Sequence, residues 1–247
     1  MTKNALVIGA NGGIGNEVLR QLVQDEHYET VFSVARSALV GNHANNSKVQ
    51  HKSMDTADEG EVKSYVDELR SAGKKLDLVI CTTGILHQKG EGETPLKPEK
   101  RLEDMNSAQL AEYFRINSIL PAIWLQHLVK VVAKEKAAIV FLSARVGSIT
   151  DNSLGGWYGY RASKAALNML LKTASIEYKR RAANTSLMCY HPGTVDTGLS
   201  KPFQANVKPE KLFTPEFTVS QLLSITAELD AEESPFYLDW QGHTIPW

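Results

Sequence analysis

Cysteine is scarce: Cys81 and Cys189 are the only two among 247 residues. Each lies in an apolar, strand-like run, so they read as two buried thiols rather than a disulfide framework or a redox pair. Long apolar runs are missing as well. Nothing approaches the ~18 residues that a spanning helix needs. Met1-Thr2-Lys3-Asn4 leads straight into a short apolar strand, too brief for a signal peptide, so the expectation is a cytoplasmic protein with no membrane partner. An excess of charge is also absent, since 27 basic side chains face 28 acidic ones. That balance leaves no footprint for nucleic acid or an anionic membrane surface. Repeats and long polar linkers are lacking too, which leaves one domain over residues 1–247. A chain of this length buries a sizeable core and needs neither disulfide nor metal to hold it together.

What is present is an alternation of short apolar runs with longer amphipathic stretches. Ala5–Ile8, Val31–Ala35, Leu76–Cys81, Ala138–Leu142 and Ser186–Tyr190 read as strands. They are nearly continuous in apolar residues, as parallel strands covered on both faces are. Lys48–His51 is more polar and belongs nearer a sheet edge, and Pro235–Trp240 offers a last short strand. Ile14–Gln24, Glu59–Ser71, Ala108–Lys134, Tyr160–Arg181 and Pro215–Asp230 read as helices. Strand and helix taking turns implies right-handed βαβ units. The fold class is therefore α/β, a Rossmann-like doubly wound parallel sheet of about seven strands with helices on both faces. His87–Asp104, rich in charge, Gly and Pro, reads as a surface loop. Residues 198–212, with Pro202 and Pro209, form another, assigned to substrate; loops this long in a compact domain are more often functional than idle.

The first strand ends in Gly9-Ala10-Asn11-Gly12-Gly13-Ile14-Gly15 and passes directly into a helical pattern. Glycines there let the chain turn sharply and let a pyrophosphate approach the backbone amides. The helix N-terminus adds free N–H groups and a favourable dipole. The second strand ends in Val34-Ala35-Arg36-Ser37, with no carboxylate at its tip. An acidic residue there would bind the ribose 2′-hydroxyl of NAD(H), whereas a guanidinium can hold a 2′-phosphate bidentately. Arg36 thus favours NADP(H) over NAD(H), the alternative being a solvated arginine at a strand end.

Tyr160-Arg161-Ala162-Ser163-Lys164 opens a long helical stretch. A Tyr and a Lys four apart share one helix face. A free tyrosine, with a pKa of ~10, is a poor base at neutral pH, and a nearby ammonium favours its phenolate. Ser143 ends the fifth strand, where a hydroxyl points into the crevice that binds ligands in open α/β sheets. From there it can stabilise a developing alkoxide. Asn117, in Phe114-Arg115-Ile116-Asn117-Ser118-Ile119, is a polar amide amid apolar helical residues and needs a partner.

Gly9, Gly13 and Gly15 at this spacing, Asn117, Ser143, and Tyr160 with Lys164 together resemble the short-chain dehydrogenase/reductase family. The likeness extends from about Lys3 to Trp247. In it, Asn117, Ser143, Tyr160 and Lys164 match the catalytic tetrad in order and context. The resemblance implies that Lys164 also holds the nicotinamide ribose, and that Asn117 opens its helix and feeds a proton relay. Asp55, after the third strand, resembles an adenine-contacting aspartate, with a helix cap or turn residue as the alternative. The fourth strand is followed by Cys81-Thr82-Thr83-Gly84 where the family shows Asn-Asn-Ala-Gly, so only Gly84 is kept. His191-Pro192-Gly193-Thr194-Val195-Asp196-Thr197 resembles the PGxVxT motif, with Val195 and Thr197 set to hold the nicotinamide carboxamide. Ser143-Ala144-Arg145-Val146-Gly147-Ser148, Gly156-Trp157-Tyr158, Ser200-Lys201-Pro202-Phe203 and the ending Gly242-His243-Thr244-Ile245-Pro246-Trp247 resemble the C-factor-like (cell–cell signalling) branch. The family implies an oxidoreductase that interconverts a carbonyl and an alcohol on a small substrate, and a homodimer or homotetramer. A dinucleotide-binding signalling or sensor protein is the alternative. His87–Asp104, Asp151–Gly156 and Gly198–Leu212 would build the substrate pocket, with Trp157, Phe203 and Phe213 as candidates for an apolar lining.

Overall fold

The computed structural model describes residues 2–88 and 95–247. Seven parallel strands form the central sheet: β1 (Lys3–Ile8), β2 (Tyr28–Ala35), β3 (Val49–Ser53), β4 (Leu78–Cys81), β5 (Ala137–Leu142), β6 (Thr185–His191) and β9 (Phe236–Asp239). Their order is β3-β2-β1-β4-β5-β6-β9. β7 (Thr194–Val195) and β8 (Leu212–Phe213) pair separately, parallel to each other. The inner strands are buried over most of their length, and Ala137–Leu142 throughout, because helices cover both faces. β3, at the edge, carries Gln50, His51 and Lys52 and is only partly buried.

On one face lie α1 (Gly13–Gln24) and α6 (Pro215–Glu228), packed over Val7, Val31, Ile80 and Val140. On the other lie α2 (Glu59–Ser71), α3 (Ser107–Phe114), α4 (Leu120–Leu128) and α5 (Tyr158–Arg181), of which α2, α4 and α5 pack over Leu6, Val79, Ile139 and Leu187. Asp58, Asn106 and Thr214 cap α2, α3 and α6 by accepting from a backbone N–H three residues on. Gly12 and Trp157, which precede α1 and α5, supply no side-chain cap. Both of those helix starts lie at the functional crevice.

The helix expected over Ala108–Lys134 is three pieces. α3 runs into a π-helical segment, Arg115–Ile119, and α4 stops at Leu128. The next residues leave the helix because the sheet needs them: the Leu76 amide donates to Val131 O and the Ala133 amide to Leu76 O. Apolar periodicity alone does not separate a helix tail from a buried return segment. The loop expected over His87–Asp104 also differs from expectation. Its residues 89–94 lie outside the described ones, but Leu96 and Glu99 are buried at 3% and 1% exposure.

Candidate active site

Sheet order reverses at β1 and β4, and the crevice beyond their carboxyl ends is where such folds bind ligands. Two cavities of about 500 and 560 Å³ meet there, sharing Gly12, Thr82, Thr83 and Gly84. The first is lined by Gly9, Asn11, Arg36, Ser37 and Asp55. The second reaches Gly13, Ile14 and Gly15 on one side and Ser143, Tyr160 and Lys164 on the other. Pro192, Gly193, Val195 and Thr197 close it from above β6. The candidate catalytic and cofactor-binding residues other than Asn117 therefore line this crevice, and Asn117 stands directly behind it.

The glycine turn is packed too closely to admit side chains at Gly13 and Gly15. A Cβ on Gly15 would run into the Gly9 carbonyl oxygen, and one on Gly13 would stand 2.7 Å from Thr197 Cγ2. With no side-chain cap at its start, α1 keeps its leading N–H groups uncapped beside the cavity, an arrangement that suits a pyrophosphate. Asn11 lines the first cavity and also holds the loop after β2. Its Nδ2 donates to Ser37 O, Ser37 Oγ and Ala38 O at 3.2, 3.0 and 2.9 Å, which fixes the stretch beside Arg36. Asp55 acts as a turn residue, its Oδ1 accepting from the Ala57 amide at 2.9 Å while it lines the first cavity. Thr82 takes over a stabilising task at the centre of the sheet. Its hydroxyl lies 3.0 Å from Ile8 O and 3.1 Å from Gly9 O, tying β4 to the glycine turn.

At the other end, α5 carries Tyr160, Lys164 and Asn168 on one face. Exposure falls to 7%, 3% and 4% at these residues. Lys164 Nζ donates to Leu142 O at 2.8 Å and lies 5.9 Å from the Tyr160 ring centroid. Burial holds the ammonium down at about 8, against an ordinary 10.5. Burial also pushes the Tyr160 phenol upward, with the neighbouring Tyr237 adding to the rise. The lowering of the tyrosine by the lysine expected from their spacing is not seen; burial sets the direction instead. Ser143 Oγ donates to Asn168 Oδ1 at 2.7 Å, and Asn168 Nδ2 donates to Gly147 O at 3.3 Å. Sequence reading missed Asn168, although its spacing of four from Lys164 and eight from Tyr160 was a usable signal.

Asn117 sits in the π-helical segment, fully buried. Its Oδ1 accepts from the Ile85 amide at 2.8 Å, and its Nδ2 donates to Ile85 O at 2.9 Å and Ser163 Oγ at 3.1 Å. The same Oδ1 and Lys164 Nζ approach one point beside Gly84, where a Cβ would lie 3.5 and 3.4 Å from them. His191 also borders the second cavity. Its Nδ1 is buried without a hydrogen-bond partner among the described residues, and burial lowers the imidazole to about 4, which keeps it neutral.

An aromatic wall extends from Tyr160. Trp157 stands 6.1 Å from it and 5.2 Å from Phe203, edge to face, and His87 lies 5.7 Å from Phe203. Phe213, expected beside them, instead packs on Trp240 at 4.4 Å and Phe217 at 5.1 Å. Residues 151–156 do not line either cavity; Asp151 ties Arg145 at 3.2 Å. Arg145 also meets the buried Asp239 at 2.8 Å, and Tyr237 donates to Ala144 O at 2.6 Å. β9 thereby fixes the segment that follows Ser143. Among the described residues no His, Cys, Asp and Glu cluster could hold a metal, and no helix is long and apolar enough to cross a membrane.

With this geometry in view, the relatives are informative. The chain is 27% identical over 245 residues to a 1-hydroxy-2-glutathionyl-2-methyl-3-butene dehydrogenase of Rhodococcus sp. (strain AD45), with 98% of each chain covered. It is 30% identical over 147 residues to the C-signal of Myxococcus xanthus, which covers 59% of this chain and 83% of that one. Its fold superposes on NADPH-bound carbonyl reductase from chicken fatty liver with a TM-score of 0.83 at 25% identity, over 100% and 99% of the two chains. Residues 3–208 match the short chain dehydrogenase family. The chain belongs to that family.

Proposed function

We propose that the protein is an NADP(H)-dependent oxidoreductase that interconverts a carbonyl and an alcohol on a small apolar substrate. One observation carries this reading: Ser143, Tyr160 and Lys164 converge on a cavity that opens onto the uncapped N-terminus of α1. The similarity to a carbonyl reductase that binds NADPH supports the choice of cofactor, as does Arg36 on the rim of the adjoining cavity.

When bound, NADPH supplies a hydride to the carbonyl carbon. The amides of α1 hold the phosphates, and Arg36 holds the 2′-phosphate as a charge-assisted pair. Lys164 positions the nicotinamide ribose, and Val195 and Thr197 position the carboxamide. The substrate carbonyl sits between Ser143 and Tyr160. Tyr160 donates a proton to its oxygen as general acid. Ser143 has one proton and gives it to Asn168 in this structure. Stabilising an alkoxide requires the hydroxyl to rotate from Asn168 toward the cavity. Lys164 and Asn117, which both approach the space beside Gly84, would form the route by which Tyr160 regains its proton.

Binding of NADPH and NADH, followed by nicotinamide fluorescence, tests the cofactor; tighter NADPH binding is expected. Replacing Tyr160 by Phe tests the chemistry, and unchanged turnover would overturn it. The similarity to C-signal favours a second reading, a dinucleotide-binding signalling protein. NADPH binding with no turnover across a carbonyl panel would select that reading. Met169 and Ile176 on α5 and Ile119 on the π-helical segment, exposed at 61%, 61% and 53%, support a homo-oligomer formed through these helices.

A further inference from the structure

α5 carries the acid/base residue in its first turn, yet the residue before it cannot cap it. Trp157 is left-handed (φ 54°, ψ 43°) and makes no side-chain cap. It follows Gly155 and Gly156, at φ 64° and 68°, so three successive residues hold a conformation that costs a tryptophan energy. Arg161, one turn on, donates to Gly156 O at 2.8 Å and to Gly155 O at 3.1 Å, but the leading N–H groups of the helix still need an acceptor from outside it.

That acceptor is Glu99, a carboxylate 1% exposed in a segment distant in sequence. Its Oε2 accepts from the Gly159 amide at 3.2 Å, and its backbone O accepts from the Trp157 amide at 2.5 Å. Its Oε1 accepts from Gln109 Nε2 at 2.7 Å, and Gln109 Oε1 accepts in turn from the Lys97 amide at 2.9 Å. Gln109, 5% exposed, thus fastens Glu99 to α3. The fit is close: a Cβ on Gly159 would stand 2.5 Å from the Tyr113 ring and 2.9 Å from Glu99 Oε1. Tyr113 then meets Tyr160 edge to face at 6.3 Å.

We propose that Glu99 is a positioning residue that caps the catalytic helix from outside, fixing where Tyr160 and Trp157 stand at the substrate cavity. The inference rests on the assignment of Tyr160 as the acid/base. Chemistry dictates the residue type. Glu99 faces a donor on each oxygen, so only an acceptor at both oxygens satisfies the site. A glutamine of the same shape would turn an NH₂ toward either Gly159 or Gln109 and leave two donors in contact.

This logic gives a reciprocal test. In the Glu99→Gln variant one bond must fail. In the double variant Glu99→Gln/Gln109→Glu every bond returns: Gly159 donates to the new amide oxygen, the new amide NH₂ donates to the new carboxylate, and Lys97 still donates to it. Each variant is measured for NADPH affinity, for kcat with benzil as probe carbonyl, and for hydrogen exchange at residues 157–161. Glu99→Gln is expected to lower kcat by about tenfold to a hundredfold, the scale of a small misplacement of a reacting group. It should speed exchange at Gly159 roughly tenfold while leaving NADPH affinity unchanged, because the lost bond is local. The double variant should restore both within about threefold.

Unchanged exchange and kcat in Glu99→Gln, with Tyr160→Phe inactive, would overturn the proposal and leave Tyr160 in place. Full activity in Tyr160→Phe would remove the underlying assignment instead. Loss of NADPH binding together with kcat in Glu99→Gln, or no recovery in the double variant, would show a general structural role and also overturn the proposal.

Discussion

The two ends of the crevice are built by opposite means. The end near Gly9 and Arg36 is made of backbone amides, a glycine turn and exposed side chains on short loops. The end near Tyr160 is made of buried side chains brought from α3, α5, β5 and the segment around Glu99. Recognition of phosphate needs only N–H groups with room in front of them, so it tolerates change at neighbouring positions. Proton transfer needs a few atoms fixed in three dimensions, so it depends on residues far away in sequence.

That contrast can be broken or sharpened by substitution. The largest effect is expected for Tyr160→Phe, which should cut kcat by about a hundredfold to ten-thousandfold while NADPH affinity, read by fluorescence titration, stays put. A parallel loss of affinity would mean that the two ends are not separable.

Lys164→Met should act on stability as well as on turnover. The folded lysine titrates at about 8 and the unfolded one near 10.5. Below pH 8 both states are protonated, and the folded chain bears a burial cost of about 3 kcal/mol. Between about 8 and 10.5 the unfolded chain keeps a proton that the folded one has released, so stability contributed by this group rises with pH. Lys164→Met removes the cost, raising Tm by several degrees at neutral pH and flattening that rise. Thermal unfolding of both proteins from pH 7 to 10.5 checks it, and identical profiles would mean that the ammonium is solvated.

Arg36→Ala belongs to the exposed end. Losing hydrogen bonds to a charged phosphate, worth about 1.5–3 kcal/mol, should weaken NADPH binding by roughly tenfold to a hundredfold. NADH binding and Tm should not move. The smallest effect is expected for Thr82→Val. It removes the hydroxyl that bridges to Ile8 O and Gly9 O, at a cost of about 1 kcal/mol in thermal unfolding. An unaltered Tm would show that the glycine turn holds itself.

The same contrast explains what was legible in the sequence. The glycine turn, Arg36, Ser143 and the Tyr160–Lys164 pair could be read because each is a local pattern: a strand end, a turn, one helical repeat. The sheet was legible too, since buried parallel strands write themselves as apolar runs; even the short β9 was anticipated. The helix through Asn117 was overextended because Val131 and Val132 are apolar whether they continue a helix or return beneath the sheet. Glu99 looked like one more charge in a charged loop, and only its contact with Gly159 reveals otherwise. Phe213 carries the same apolar signal as Phe203 but faces Trp240. The balance between burial and attraction at Tyr160 and Lys164 depends on the surrounding protein, which no spacing of four residues encodes.

The π-helical segment at Arg115–Ile119 carries an evolutionary consequence. Deleting a single residue there would return the ladder to ordinary turns of 3.6 residues and give a more regular helix. It would also rotate everything before the cut by about 100° relative to everything after it. Tyr113, which packs on Tyr160 and Gly159, could no longer face α5 while Trp124 and Leu128 stayed in the core. Selection for stability alone would discard the extra residue; a lineage that keeps it records that the two halves of this helix answer to different masters.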